Sequence, residues 1–142
     1  MNADAGFLAR EGTPDGAQML RDVLDNLSAF VAVLDPGGKM LEVNRAPLEA
    51  AGLQRCNVIG QFFWDCPWWG WSTDAQKQLQ HCIARAAAGE TIRYDATIAL
   101  QPEGGRATLD VQIAPLRDEE GRLMRLVVSG TDITWRKNTE RA

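Results

Sequence analysis

Between Gln61 and Trp71 the chain reads Gln-Phe-Phe-Trp-Asp-Cys-Pro-Trp-Trp-Gly-Trp, which places four of its five tryptophans in one short stretch. Few folds can house such a run. It does not alternate apolar with polar residues as a half-buried strand does, and Pro67 forbids a long uninterrupted helix because it lacks the N–H and clashes with the preceding turn. The expectation is an irregular segment that folds its indoles over something apolar. That can be the protein's own core or a small ligand, and both readings stay open at this level.

The remainder of the sequence sets the frame. Its 142 residues suit one domain with a self-sufficient core, and 45% hydrophobic with 24% charged residues is an ordinary globular balance. A formal charge of −4 leaves no basic footprint, so nucleic acid is not an expected partner. No apolar run reaches the length of a membrane span and the N-terminus lacks a signal-peptide core, so a soluble, cytoplasmic domain without direct membrane contact is expected. Cys56, Cys66 and Cys82 match no metal-ligand or CxxC spacing, and an odd count argues against a disulfide framework.

In chain order, residues 1–14 carry no periodicity and read as a flexible lead-in. Over residues 15–28 Met19, Leu20, Val23, Leu24 and Leu27 recur at helical spacing, with Asp15 as the expected N-cap. That stripe, taken through Leu20, Val23, Leu24 and Leu27, can cover the domain's own core or pair with the same helix of a second copy. Ala29 to Leu34 and Lys39 to Val43 form a hairpin around the turn Asp35-Pro36-Gly37-Gly38. Asn44 stands where a helix N-cap belongs, Gly52 closes that short helix, and another short piece spans Cys56 to Ile59. Thr73 with Gln76 reads as a capping box opening the longest helix, whose apolar face is Ala75, Leu79, Cys82, Ile83, Ala86 and Ala87, with Gly89 at its C-cap. Three strands follow (Thr91 to Leu100, Arg106 to Leu116, Arg122 to Thr131), and helical character returns over residues 135–142. Five antiparallel strands with helices on one face and flanking helices at either end make the predicted class α+β.

With these elements placed, the sequence resembles the PAS domain family, the small sensor modules of bacterial signalling proteins. Ala29 to Asp35, then Gly38, Lys39 and Val43-Asn44, resemble that family's first hairpin and its asparagine. Val58-Ile59-Gly60 resembles the step before its long helix, and Ala88-Gly89-Glu90 the helix's end. Pro115 to Arg122 is similar to its last hairpin. Gly130-Thr131-Asp132-Ile133-Thr134 is similar to its closing strand and exit motif. The pair Phe63-Trp64 followed by Pro67-Trp68-Trp69 resembles a subgroup found in multidomain kinases.

The resemblance implies a PAS domain over residues 29–134 and the start of a signalling helix from residue 135. Cofactors can be weighed residue by residue. Haem-binding members are similar in holding iron through a histidine on the long helix. The chain's one histidine, His81, lies about 200° around from Leu79 at 100° per residue, on the side expected to face water. Flavin-binding photoreceptors have Asn-Cys-Arg-Phe where this chain has Gln61-Phe62-Phe63. Neither haem nor covalent flavin is therefore expected, no metal site is expected, and a small apolar ligand remains open. Cys66, flanked by Asp65, reads as a structural thiol, since a neighbouring carboxylate raises its pKa. Without a nucleophile, base and orienting group, no catalytic residues are assigned.

The expected ligand pocket is Phe63, Trp64, Trp68, Trp69, Leu79 and Ile83, between the long helix and the sheet. Signal coupling is expected at Asn44, Asp132, Ile133 and Thr134, where Asp132 can cap the exit helix and Thr134 steady the turn. The implied function is sensing within a two-component histidine kinase, as a homodimer, with the kinase or another output domain lying beyond this sequence. Its rivals are a ligand-independent dimerisation module, the sensor of a diguanylate cyclase or phosphodiesterase, and a small α+β enzyme.

Overall fold

A carboxylate organises the first hairpin. Asp35 Oδ1 accepts the backbone N–H groups of Gly37 and Lys39, both at 2.9 Å, while Gly38 N donates to Asp35 O at 2.9 Å. That turn joins β1 (Phe30–Leu34) to β2 (Met40–Val43). In this computed structural model residues 14–25, 29–100 and 105–134 are described. The expected lead-in, the exit helix and the Gln101 to Gly104 part of a loop lie outside the described residues, as do Leu27 and the side chain of Leu20.

The elements run α1 (Pro14–Asp25), β1, β2, α2 (Arg45–Ala51), three 3-10 turns (Arg55–Asn57, Phe63–Asp65, Pro67–Trp69), α3 (Thr73–Ala87), β3 (Ile92–Ala99), β4 (Arg106–Arg117) and β5 (Leu123–Asp132). The strands form one antiparallel sheet in the order β2-β1-β5-β4-β3, so the first and last strands lie side by side. The predicted α+β class is the observed one.

Period two decides which side chains enter the core. On β4 Ala107, Leu109, Val111 and Ile113 are buried while Gln112 is exposed; on β5 Leu126, Val128 and Gly130 are buried while Arg125 and Thr131 are exposed. Helix α3 packs across this inner face against β3, β4 and β5. Its buried residues, Leu79, Cys82, Ile83 and Ala86, belong to the face its periodicity selects.

The helix ends differ from expectation by a residue. Ser72, not Thr73, caps α3: its hydroxyl accepts Ala75 N–H at 3.1 Å, which leaves Gln76 outside a capping box. Gln76 instead donates its Nε2 to Trp64 O at 3.0 Å. Ala88 occupies the C-cap position, and Gly89 follows with φ +113°, the left-handed conformation that a glycine takes without strain. Asp15 falls inside the first turn of α1, which starts at Pro14. The expected helix at Cys56 to Ile59 is the single 3-10 turn Arg55–Asn57.

Asn44 occupies the N-cap position of α2, but its side chain makes no cap hydrogen bond. The cap is supplied from elsewhere, by Asp25 Oδ1, which accepts Arg45 N–H at 2.9 Å.

Candidate functional site

The aromatic stretch resolves into two consecutive 3-10 turns, Phe63–Asp65 and Pro67–Trp69, with Pro67 as the first residue of the second. Proline suits that position, where its missing N–H has no partner to lose. Phe63, Trp68 and Trp69 point inward and are 6%, 2% and 2% exposed. Phe63 meets both indoles edge-to-face, at 6.0 Å from Trp68 and 5.4 Å from Trp69 between ring centroids. Trp68 Nε1 donates to Pro47 O at 2.9 Å, tying the turn to α2. Trp71, at the rim, donates Nε1 to Thr97 O at 3.1 Å and lies under the Arg106 guanidinium at 4.6 Å.

Beneath these rings lies a cavity of about 30 Å³. Its walls are Phe63, Trp68 and Trp69 on one side and strand residues on the other, among them Phe30, Ala32, Val111, Val128 and Gly130. The surface that these walls present to the cavity is entirely apolar. Two of these wall residues are small: in the β1–β5 register Ala32 pairs with Val128 and Gly130 with Phe30. The aromatic segment is therefore core and cavity wall at once.

The other expected pocket residues lie elsewhere. Trp64 is half-buried over the first hairpin, stacked on Phe62 at 4.8 Å, with its ring beside Gly38. Leu79 and Ile83 are fully buried in the packing of α3 and do not line the cavity. His81 is exposed on α3.

The residues expected to carry signal coupling form two hydrogen-bonded knots. Asn44, 1% exposed, accepts Val31 N–H at 2.8 Å through Oδ1 and donates Nδ2 to Leu24 O at 2.9 Å and Ala29 O at 2.8 Å. It thus fastens the last turn of α1 to the start of β1. Beside it the Arg55 guanidinium reaches Asp25 Oδ1, Glu42 Oε1 and Val43 O, each at 3.1 Å. Sequence reasoning missed this cluster, because nothing local links residues 25, 42 and 55. At the other knot Asp132 Oδ1 accepts Thr134 N–H at 2.9 Å, and Thr134 Oγ1 accepts Thr108 N–H at 2.9 Å. Ile133, buried between them, donates its N–H to Thr108 O at 2.8 Å.

Cys66 is fully buried, and its thiol donates to Phe62 O at 3.5 Å. Burial, with the Asp65 charge as a second cause, pushes the thiol up to about 12. The neighbouring carboxylate is thus the smaller influence. Cys82 is buried and raised as well, again by burial. Only Cys56 is exposed. A native protein treated with Ellman's reagent at pH 8 should lose one thiol quickly, abolished by Cys56→Ser, and two more only on unfolding. Two or more fast thiols in the folded protein would contradict this burial.

An antiparallel five-stranded sheet crossed by one long helix, with a small cavity between the sheet and the aromatic 3-10 turns, defines the class. The chain belongs to the PAS family: the family model described as "PAS fold" matches residues 24–138. It is 34% identical over 125 residues to the sensor histidine kinase TmoS of Ectopseudomonas mendocina, covering 87% of this chain and 13% of that protein. It is 33% identical over 118 residues to hybrid signal transduction histidine kinase D of Dictyostelium discoideum, covering 82% of this chain and 8% of that protein. The chain therefore spans only a small part of the relatives it matches. Among solved structures the PAS domain of Bordetella pertussis BvgS superposes with a TM-score of 0.68 at 22% identity, covering 89% of this chain and 93% of that one. No helix among the described residues is long and apolar enough to cross a membrane.

Proposed function

We propose that this PAS domain is the sensory segment of a histidine kinase in a two-component phosphorelay, and that it responds to a small apolar ligand beneath Trp68 and Trp69. One observation carries this reading. The carbon-lined cavity includes Val128 and Gly130, and Gly130 lies two positions before Asp132, where the last strand hands over to the exit segment. A change in the cavity wall is thereby a change in the strand that leads out.

At about 30 Å³ the cavity falls well short of the roughly 150 Å³ that accommodates benzene, so a ring-sized ligand must push its wall aside. The 3-10 turns are the part suited to yield. After the second of them the bonds Gly70 N to Pro67 O and Ser72 N to Trp69 O are 3.3 and 3.4 Å, longer than the 2.9 Å of the hairpin bond Asp118 N to Arg122 O. A ligand can bias two arrangements only by the difference in its affinity for them, and a wall that moves supplies such a difference.

The test uses the full-length kinase with ethylbenzene and acetophenone as probes. Trp69→Ala should stay folded at a cost of about 3–5 kcal/mol and lose probe binding. Asp132→Ala should still bind but no longer pass binding on to autophosphorylation. If Trp69→Ala unfolds the domain and neither probe binds the wild type, the aromatic segment is core alone and the sensing role fails.

The same reading makes the domain a homodimer through α1, where Met19 and Val23 stand 58% and 54% exposed with Leu24 half-buried beside them. Apolar side chains this open on one helix favour burial against a second copy. Light scattering should find a dimer that Met19→Glu with Val23→Glu converts to a folded monomer. A wild type that is monomeric at high micromolar concentration would rule the interface out.

A further inference from the structure

Of the indoles in the aromatic segment, Trp68 and Trp71 have carbonyl partners for their N–H groups, and Trp69 does not. Trp69 Nε1 is buried and has no acceptor. An orphaned N–H inside a protein forfeits the hydrogen bond it would make in water, a penalty that native structures seldom tolerate without a reason. Tyr94 Oη is similarly unpartnered, but Tyr94 does not line the cavity, whereas Trp69 forms part of its wall. Water is not a suitable companion there. A buried water needs two to four polar partners, and the surface that faces this cavity is wholly apolar.

We infer that the ligand of this cavity is a small uncharged molecule with an apolar body and one acceptor oxygen, a ketone or aldehyde, whose oxygen takes the hydrogen bond from Trp69 Nε1. The inference rests on the ligand-sensing reading above and narrows its ligand. Pure hydrocarbons fill the space but leave the donor unmet. Carboxylates meet the donor, but no residue lining the cavity carries a countercharge, and an unpaired anion in such surroundings costs far more than one hydrogen bond returns. A neutral acceptor satisfies the donor without that cost. Because the indole nitrogen shows no free surface to the cavity as it stands, the ring must turn or the wall part for the bond to form. The small volume requires the same movement of any ring-sized guest. A site that has to be hydrogen-bonded discriminates strongly against guests lacking the partner atom.

Acetophenone and ethylbenzene differ chiefly by the carbonyl oxygen and make the comparison direct. Titration calorimetry on the wild-type chain should show acetophenone binding at least about tenfold more tightly, and benzoate binding less well than either. A Trp69→Phe chain should bring the two neutral probes within about twofold of each other. A second measurement needs no variant. In an amide-and-indole correlation spectrum of the wild type, one indole N–H should move downfield with acetophenone and stay put with ethylbenzene. Equal affinity for the two neutral probes, or no indole shift, overturns this inference and leaves the ligand-sensing reading standing. Absence of binding by both overturns the two together.

Discussion

Replacing Asn44 by alanine should lower the stability of the domain by about 3 kcal/mol or more. One side chain satisfies three backbone groups, and its removal leaves Val31 N–H, Leu24 O and Ala29 O without that partner. Each group left unmet in a buried setting costs about 1–3 kcal/mol, and Asn44 itself is 1% exposed. The urea midpoint should fall with little change in slope, and the amides at the end of α1 should exchange faster than those of β4. Asn44→Asp offers a sharper version. It keeps the acceptor for Val31 N–H but sets a carboxylate against two carbonyl oxygens, so its folded-state pKa rises above the unfolded value. Relative to wild type, that variant is then least destabilised below about pH 4 and loses further stability as pH rises through the folded pKa. An Asn44→Ala domain within about 1 kcal/mol of wild type would mean that these bonds are dispensable.

Gly38→Ala should be nearly as damaging, for a separable reason. Gly38 has φ +100°, and a Cβ there would fall 2.6 Å from Cζ3 and 3.0 Å from Cη2 of Trp64. The left-handed conformation costs a side-chain-bearing residue about 1–2 kcal/mol, and overpacking adds about 1–3 kcal/mol. The Trp64 ring cannot step aside freely, since it is stacked on Phe62. Gly60 provides the control: it has φ +87°, and a Cβ there would meet nothing within 4 Å, so Gly60→Ala should cost the backbone share alone. Thermal unfolding of the two variants measures the Trp64 contribution by difference. Equal losses would show that the ring yields.

The sheet, the long helix and its buried face were legible because each depends on local periodicity and turn chemistry. Leu79, Cys82, Ile83 and Ala86 lie at helical spacing, and Val111 and Ile113 alternate with Gln112. The capping residue of α3 shifted by one, from Thr73 to Ser72, because adjacent hydroxyl residues both satisfy the pattern and only backbone geometry chooses between them. The candidate site was half legible. Phe63, Trp68 and Trp69 announce themselves by composition. Ala32 and Gly130 read merely as small strand residues, and their placement on the neighbouring strands β1 and β5, opposite the rings, is a matter of register that one strand's sequence does not carry. Asn44 was placed correctly at the head of α2, yet its bonds go to residues well upstream of the helix, reachable only once α1 is packed.

The adjacency of β1 and β5 has one more implication. Phe30, at the first position of β1, is paired with Gly130, near the last of β5, so the polypeptide enters and leaves the sheet at the same end. Everything between is a closed excursion that returns to its point of departure. Such a module can be spliced into a longer helical rod, or removed from one, with little change to the path of the flanking chain.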